Sequence, residues 1–224
     1  MSEPEWAVVL PGAGHALFTA RAAGKLSSVR GAGRERALAA RSALCERVGV
    51  SRLARGRQVH GAAVARVDEH PNADTALAQA DGQATSRCGV GVMVLTADCL
   101  PVALAGRAGV AMVHAGWRGI AAGVLEQGVL ALLELGSDGE MAAVVGPGAG
   151  ACCYEVGPEV HVALGGEARK ATIDLQAVAR DRLRAAGVRD VRAVPACTIC
   201  DERFFSHRRE GHIAGRQGGI AWRS

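Results

Sequence analysis

Two apolar runs constrain this chain more than any other feature: "CGVGVMVLTADCLPVALAG" (88–106) and "AGVAMVHAGWRG" (108–119). Each is built from Val, Leu, Met, Ala and Gly with almost no charge, so each reads as a buried strand whose C-terminal end carries polar residues. Strands of this kind must be covered on both faces.

The flanking segments alternate between strand and helix patterns. Ile120, Val124, Leu125, Val129, Leu132 and Leu133 fall on one helical face, and Gly136 stops that pattern. Upstream, "ERALAARSALCERVGV" (35–50) places Leu38, Ala39, Leu44 and Val48 near a helical period ending at Gly49, and "HGAAVARVDE" (60–69) predicts a strand through Val64 and Val67. "MAAVVG" (141–146) predicts a further strand, followed by a Gly/Pro loop and by Pro158 in the first turn of a helix. Asp174 is placed to cap a helix with Leu175, Val178 and Leu183 inward and Gly187 at its end. "VRAVPA" (191–196) predicts a strand before a polar tail, "CTICDERFFSHRREGHIAGRQGG". Without a linker, low-complexity block or repeat, one domain over 1–224 is the expectation.

Composition narrows the partners. Hydrophobic residues make up 49% of the chain and aromatics 3%, so the core must be aliphatic. The net charge of +4 is spread over interspersed arginines and acids, and aromatics to stack bases are scarce, which argues against nucleic acid. Of the 26 basic residues only two are lysines, a preference that suits planar anion contacts if a site exists. Seven cysteines is an odd number, residues 1–20 lack a basic start, and Pro11, Gly12 and Gly14 interrupt the early apolar run. A reducing cytoplasm with free or metal-bound thiols is expected. No apolar stretch approaches the roughly 20 residues a membrane helix needs, so no membrane partner is expected.

Three residues carry the candidate chemistry. His60 in "RQVHG" and His114 in "VHAGWRG" end apolar segments and are followed by glycine or Ala-Gly, while Cys99 in "LTADCLP" ends a third. Two imidazoles and a thiolate are zinc ligands, and a three-ligand set leaves a position open for chemistry. The spacing matches no compact zinc motif, and two strand-end histidines bonded to carbonyls beside an ordinary buried thiol is the competing account. Cys197 and Cys200 form C-x-x-C, but a zinc ribbon needs a second such pair, and the adjacent Cys152 and Cys153 cannot face the same way on a strand; these four read as structural thiols. The H-x-E and P-C-x-x-C of zinc nucleobase deaminases are missing. "GPGAG" (146–150) lacks the P-loop lysine and reads as a tight loop. Arg118 and Arg21 are candidate anion contacts, whereas His207, Arg208 and Arg209 read as a polar face.

The segments "QVHG", "LTADCLPV", "HAGWRG", "GPGAGACCYEVGPEV", "DLQAVARDRL", "CTIC" and "FFSHRREG" resemble, in order and spacing, the YfiH-like family, also called the laccase-domain or multicopper polyphenol oxidase family. The resemblance covers nearly the whole chain. It implies an α+β fold, a mixed α/β arrangement of two packed β-sheets with flanking helices, related to a cysteine hydrolase fold. It implies metal ligation by His60, Cys99 and His114, and a zinc-dependent purine nucleoside phosphorylase acting on adenosine, inosine, guanosine and methylthioadenosine with phosphate, together with adenosine deaminase activity. In that reading Arg118 or Arg21 neutralises phosphate, Phe18 supplies one face to the purine, and Asp98 serves either as acid or base or to orient a ligand. Copper oxidation of polyphenols is the first alternative, against which stands the lack of the paired His-X-His ligands of a trinuclear copper cluster. A hydrolase editing peptidoglycan precursors, with Cys99 as nucleophile and His114 as base, is the second. The family's Thr-Arg-x-Gly-Gly-Val-Ser stretch is here "TARAAGKLSS": Arg21 aligns but the double glycine is gone, which alters the loop expected beside the substrate.

Overall fold

The protein, described here by a computed structural model over residues 6–27, 31–67 and 76–224, is a layered mixed α/β structure. A hairpin of β1 (Trp6–Leu10) and β2 (Gly14–Phe18) precedes α1 (Gly31–Val48) and β3 (Arg52–Arg57). Short strands β4 (Val64–Arg66), β5 (Ala76–Gln79) and β6 (Gly82–Thr85) lead to β7 (Val90–Thr96), β8 (Leu100–Ala105) and β9 (Val110–Ala115). Helices α2 (Trp117–Ala121) and α3 (Val124–Glu134), then β10 (Ala142–Val145), β11 (Glu155–Val156), α4 (Pro158–Ala163) and β12 (Ala171–Thr172) follow. The chain closes with α5 (Leu175–Ala185), β13 (Asp190–Ala193), α6 (His207–Glu210) and β14 (Gln217–Arg223).

Among the described residues the strands form two six-stranded sheets, one ordered β1-β2-β14-β7-β3-β5 and the other β13-β10-β8-β9-β6-β4, beside the small β11-β12 pair. Strand alternation assigns each face. On β8, Leu100, Val102 and Leu104 turn toward α3 and α5, while Ala103 and Ala105 join Phe18, Val92 and Met112 between the sheets. On the far side of the first sheet, Leu17, Leu53, Met93 and Ile220 pack on Leu44 of α1. The order of layers is therefore helix, sheet, sheet, helix. The inter-sheet face is rich in alanine and glycine, which is how a chain with few aromatics closes it: a Cβ on Gly219 would lie 2.6 Å from Pro101 Cβ and 2.9 Å from Met112 Sδ.

Several sequence expectations shift. The 88–106 run is not one strand but two in different sheets, because Asp98, at φ 87°, turns the chain between β7 and β8. The pattern after Trp117 is two helices separated by Gly123 at φ 89°, and Leu133 is exposed at 48%. The inward face of α1 runs through Ala37, Arg41 and Leu44, leaving Ala39 exposed; the buried Arg41, whose Nη1 donates to the Leu26 carbonyl, masks the period. The strand expected over 60–69 is Val64–Arg66, with 68 and 69 outside the described residues. The tail written as polar ends in β14, a strand interior to the first sheet. Asp174 does cap α5, accepting from Ala177 N–H at 2.8 Å. Among the described residues no helix is long and apolar enough to cross a membrane.

Candidate metal centre and its cleft

Three strand ends converge on one point. His60 follows β3, Cys99 sits in the turn between β7 and β8, and His114 lies at the end of β9, opposite Pro101 of β8. One ligand atom of each falls within 4.8 Å of the others, and the two imidazole rings meet edge to face at 4.9 Å. Burial deepens from the exposed His60 through the half-buried Cys99 to the buried His114. Among the described residues only three non-glycine residues have positive φ, and two of them, His60 and Asp98, are here. Gly116 is required at this point, since a Cβ there would stand 2.9 Å from Cys99 Sγ and 3.3 Å from His60 Cδ2.

The residue that organises the cluster is Asp81, which sequence reasoning missed. Its carboxylate is fully buried just before β6 and accepts the amides of Val59, His60 and Gly61 at 3.0, 2.9 and 2.9 Å. The same carboxylate lies 2.8 Å from His114 Nδ1, and its carbonyl accepts the His114 amide. One acid thus holds the His60 loop in its αL turn and fixes the His114 ring, leaving Nε2 for the cluster. A signal was present: Asp81 is the single charged residue between Asp74 and Arg87, in a stretch of small neutral residues.

The charges follow from this packing. Burial pushes the Asp81 carboxyl up, but the His114 bond and the loop amides outweigh it and hold it at about 2. Burial likewise raises the Cys99 thiol, yet hydrogen bonds from His114 and His60 bring it down to about 6. For His114 burial favours the neutral ring, and Asp81 and Cys99 reverse that to about 9. Without metal the pair at neutral pH is therefore thiolate and imidazolium. In metal-free protein, alkylation of Cys99 by iodoacetamide, followed on its own peptide by mass spectrometry, should rise through pH 6 and level off well below the ordinary thiol value of 9.0. Added zinc should block it; a rate that climbs steadily to pH 9, or that zinc leaves unchanged, would show that the paired thiolate or its ligation is absent.

The cluster opens into a cleft of ≈ 790 Å³, within the roughly 300–1,000 Å³ usual for ligand sites. Among the described residues five arginines line it: Arg55, Arg57, Arg118, Arg208 and Arg216. Arg118 stacks on Trp117 at 4.2 Å and Arg208 faces Tyr154 at 5.2 Å, two planar cations braced by aromatic walls. A smaller cleft of ≈ 570 Å³ between α1 and β3, lined by groups such as Leu38 and Leu53, holds none of these residues.

The sequence candidates sort clearly. His60, Cys99, His114, Asp98 and Arg118 all line the cleft. Asp98 is spoken for, accepting Thr198 Oγ1 at 2.8 Å and the Arg208 amide at 2.6 Å. Arg21 does not reach the cleft: its guanidinium bonds Glu210 and the carbonyls of Glu202 and Phe204, and lies over Phe205. Phe18 is fully buried between the sheets, so it presents no face to a ligand. His207 and Arg208, expected on a polar face, line the cleft, while Arg209 ties down the carbonyls of Thr198, Ile199 and Phe204. The amides of Gly146, Gly148 and Ala149 bond within the fold, as suits a tight loop.

The family model described as multi-copper polyphenol oxidoreductase laccase matches residues 22–224. The chain is 42% identical over 185 residues to a Xylella fastidiosa (strain Temecula1) protein named purine nucleoside phosphorylase, covering 74% of this chain and 70% of that one. It is 37% identical over 179 residues to purine nucleoside phosphorylase YfiH of Escherichia coli (strain K12), covering 74% and 71%. Among solved structures, YlmD from Geobacillus stearothermophilus superposes with a TM-score of 0.86 at 27% identity over 100% of this chain and 97% of that one. The Bacillus licheniformis hypothetical protein YfiH gives 0.83 at 25% over 94% and 93%.

Proposed function

Since the chain belongs to the YfiH-like laccase-domain family, in which its curated relatives are named purine nucleoside phosphorylase, we propose that it is a zinc-dependent purine nucleoside phosphorylase with adenosine deaminase activity at the same centre. The observation that carries this reading is the His60, Cys99 and His114 set opening into an arginine-lined cleft. The reading takes residues 1–224 as one domain working in the cytoplasm, where seven free thiols are at home.

The donor set fits zinc: two imidazoles and a thiolate, one imidazole backed by a carboxylate. A His2Cys set also suits copper, but among the described residues the one other group of candidate ligands is four cysteines, not the histidine cluster a laccase needs. His60, Cys99 and His114 would hold the ion, which would supply Lewis acidity and lower the pKa of water toward neutrality.

The chain's own residues supply the rest. Arg118, over the Trp117 ring, and Arg208, beside Tyr154 and steadied by one bond from Nη1 to the Glu155 carbonyl at 3.0 Å that leaves its other N–H groups to an anion, bind and orient phosphate. The same two aromatics offer the purine an apolar wall, in place of Phe18 and Arg21, which the packing holds away from the cleft. Asp98 acts by positioning the Arg208 segment through its two hydrogen bonds, which leaves His207 and His212 as the cleft histidines to protonate the departing base.

Inosine and adenosine incubated with phosphate should yield free base and pentose phosphate, lost on stripping the metal and restored by zinc; no base release under either condition would overturn the reading. Arg118→Ala and Arg208→Ala should each raise the phosphate KM by about 10- to 100-fold, since a charge-assisted hydrogen bond contributes roughly 1.5–3 kcal/mol. Zinc content should stay unchanged in both, and an unchanged phosphate KM would move the anion site elsewhere.

A further inference from the structure

Behind the wall that carries Tyr154 and Arg208, four more thiols meet. Cys152 and Cys153 lie in a turn rather than on a strand, so both can face Cys197 and Cys200, supplying the second pair that the C-x-x-C lacks in sequence. Sγ to Sγ distances are 3.6 Å for Cys152 to Cys153, 3.4 Å for Cys152 to Cys200, 3.5 Å for Cys153 to Cys197 and 3.0 Å for Cys153 to Cys200. All four sulfurs lie within 4.8 Å of one another, and every cysteine is free. A tetrahedral zinc with Zn–S bonds of about 2.3 Å spaces its sulfurs about 3.8 Å apart. The cluster is near that size and shape.

The backbone is built around sulfur as well. The amides of Gly150 and Cys200 donate to Cys197 Sγ, the first at 3.2 Å. Gly150 permits this approach, because a Cβ there would lie 3.0 Å from Cys197 Cβ, 3.2 Å from Cys197 Sγ and 3.4 Å from Cys152 Sγ. Amides pointed at a thiolate are what stabilise a tetrathiolate ligand set. Oxidation to two disulfides would instead need each sulfur to close on one partner at about 2.05 Å, whereas Cys153 has three sulfur neighbours.

We propose that Cys152, Cys153, Cys197 and Cys200 bind one structural zinc ion. Binding releases the thiol protons to solvent and leaves no open position, so the ion is a staple, not a catalyst. It joins the turn that leads into Tyr154 to the loop whose Thr198 donates to Asp98, and Asp98 in turn accepts from Arg208. The site therefore fixes one wall of the cleft. It stands independently of what the cleft does.

Protein purified without added metal should contain two zinc ions per chain. His114→Ala should retain one, and cobalt exchanged into that variant should give an intense near-ultraviolet thiolate-to-metal band. The double variant Cys197→Ser/Cys200→Ser should retain the other zinc and, with cobalt in its place, show only the much weaker band of the single Cys99 thiolate; if it does not fold, the His114→Ala measurement decides alone. A His114→Ala protein free of metal, an iron chromophore, or a mass lower by a disulfide among these cysteines would each overturn the proposal.

Discussion

His114→Ala is expected to lose the cleft zinc and to reduce kcat/KM for purine release by about 10³-fold or more, while the chain still folds. Lewis-acid stabilisation is worth several kcal/mol, and each ~1.4 kcal/mol is tenfold in rate, so removing the ligand that the fold positions most firmly should cost at least three decades. His114 is that ligand because it is buried, sits on a strand interior to its sheet and has its ring fixed by Asp81. His60, exposed on a loop, should cost less when removed, since water can take over part of its role. The stability penalty of His114→Ala should be modest by comparison, because Asp81 loses one of four donors and keeps the three loop amides. Zinc analysis, steady-state kinetics and a thermal melt on the same sample read all three. Near-normal turnover in protein shown to lack the cleft zinc would remove metal from the reaction.

The gap between what was legible in the sequence and what was not follows the physics of each element. That His60, Cys99 and His114 meet was legible only in part: Cys99 and His114 adjoin apolar strands, and strand ends are where an α/β fold can present side chains to one point, but His60 follows the arginine-bearing β3, and the family resemblance rather than the spacing grouped the three. Asp81 was not legible, because a buried carboxylate held by backbone amides leaves only one odd charge in a neutral stretch. Arg21 and Phe18 failed in opposite ways: the arginine has carbonyls and Glu210 as local partners, and the phenylalanine fills the inter-sheet space that small residues elsewhere leave open. The helices on either side of the sheets were visible as periods, except that the buried Arg41 on the inner face of α1 hid that face, so that the exposed Ala39 was read as inward while Leu44 and Val48 were placed correctly. The two packed sheets came from the family resemblance and not from periodicity, because the turn at Asp98 that sends β7 and β8 to different sheets depends on a positive φ that a Thr-Ala-Asp-Cys string does not announce.

Asp81→Asn should be the most informative single-atom exchange in the molecule. Oδ2 accepts from Val59 and Gly61 and Oδ1 from His60 and His114, so every lone-pair direction that matters is used. Asparagine replaces one of those oxygens by an NH2 group, and either orientation sets that donor against two others. At roughly 1–3 kcal/mol for each buried donor left unmet, the fold should lose about 2–5 kcal/mol. The pH dependence has a definite sign. With a folded value of about 2 against an ordinary 3.8, ionised Asp81 stabilises the fold above about pH 4, and this contribution disappears as pH falls through about 2. The variant should therefore differ most from the native protein near neutrality and converge with it in strong acid. Zinc affinity should fall about 10- to 100-fold, since the carboxylate no longer fixes the His114 tautomer, and the ring should no longer hold its proton up to about 9. Chelator competition and proton NMR of the imidazole measure these directly. A lower melting temperature with zinc affinity unchanged would reduce Asp81 to a brace for the loop and refute its role in aiming the ligand.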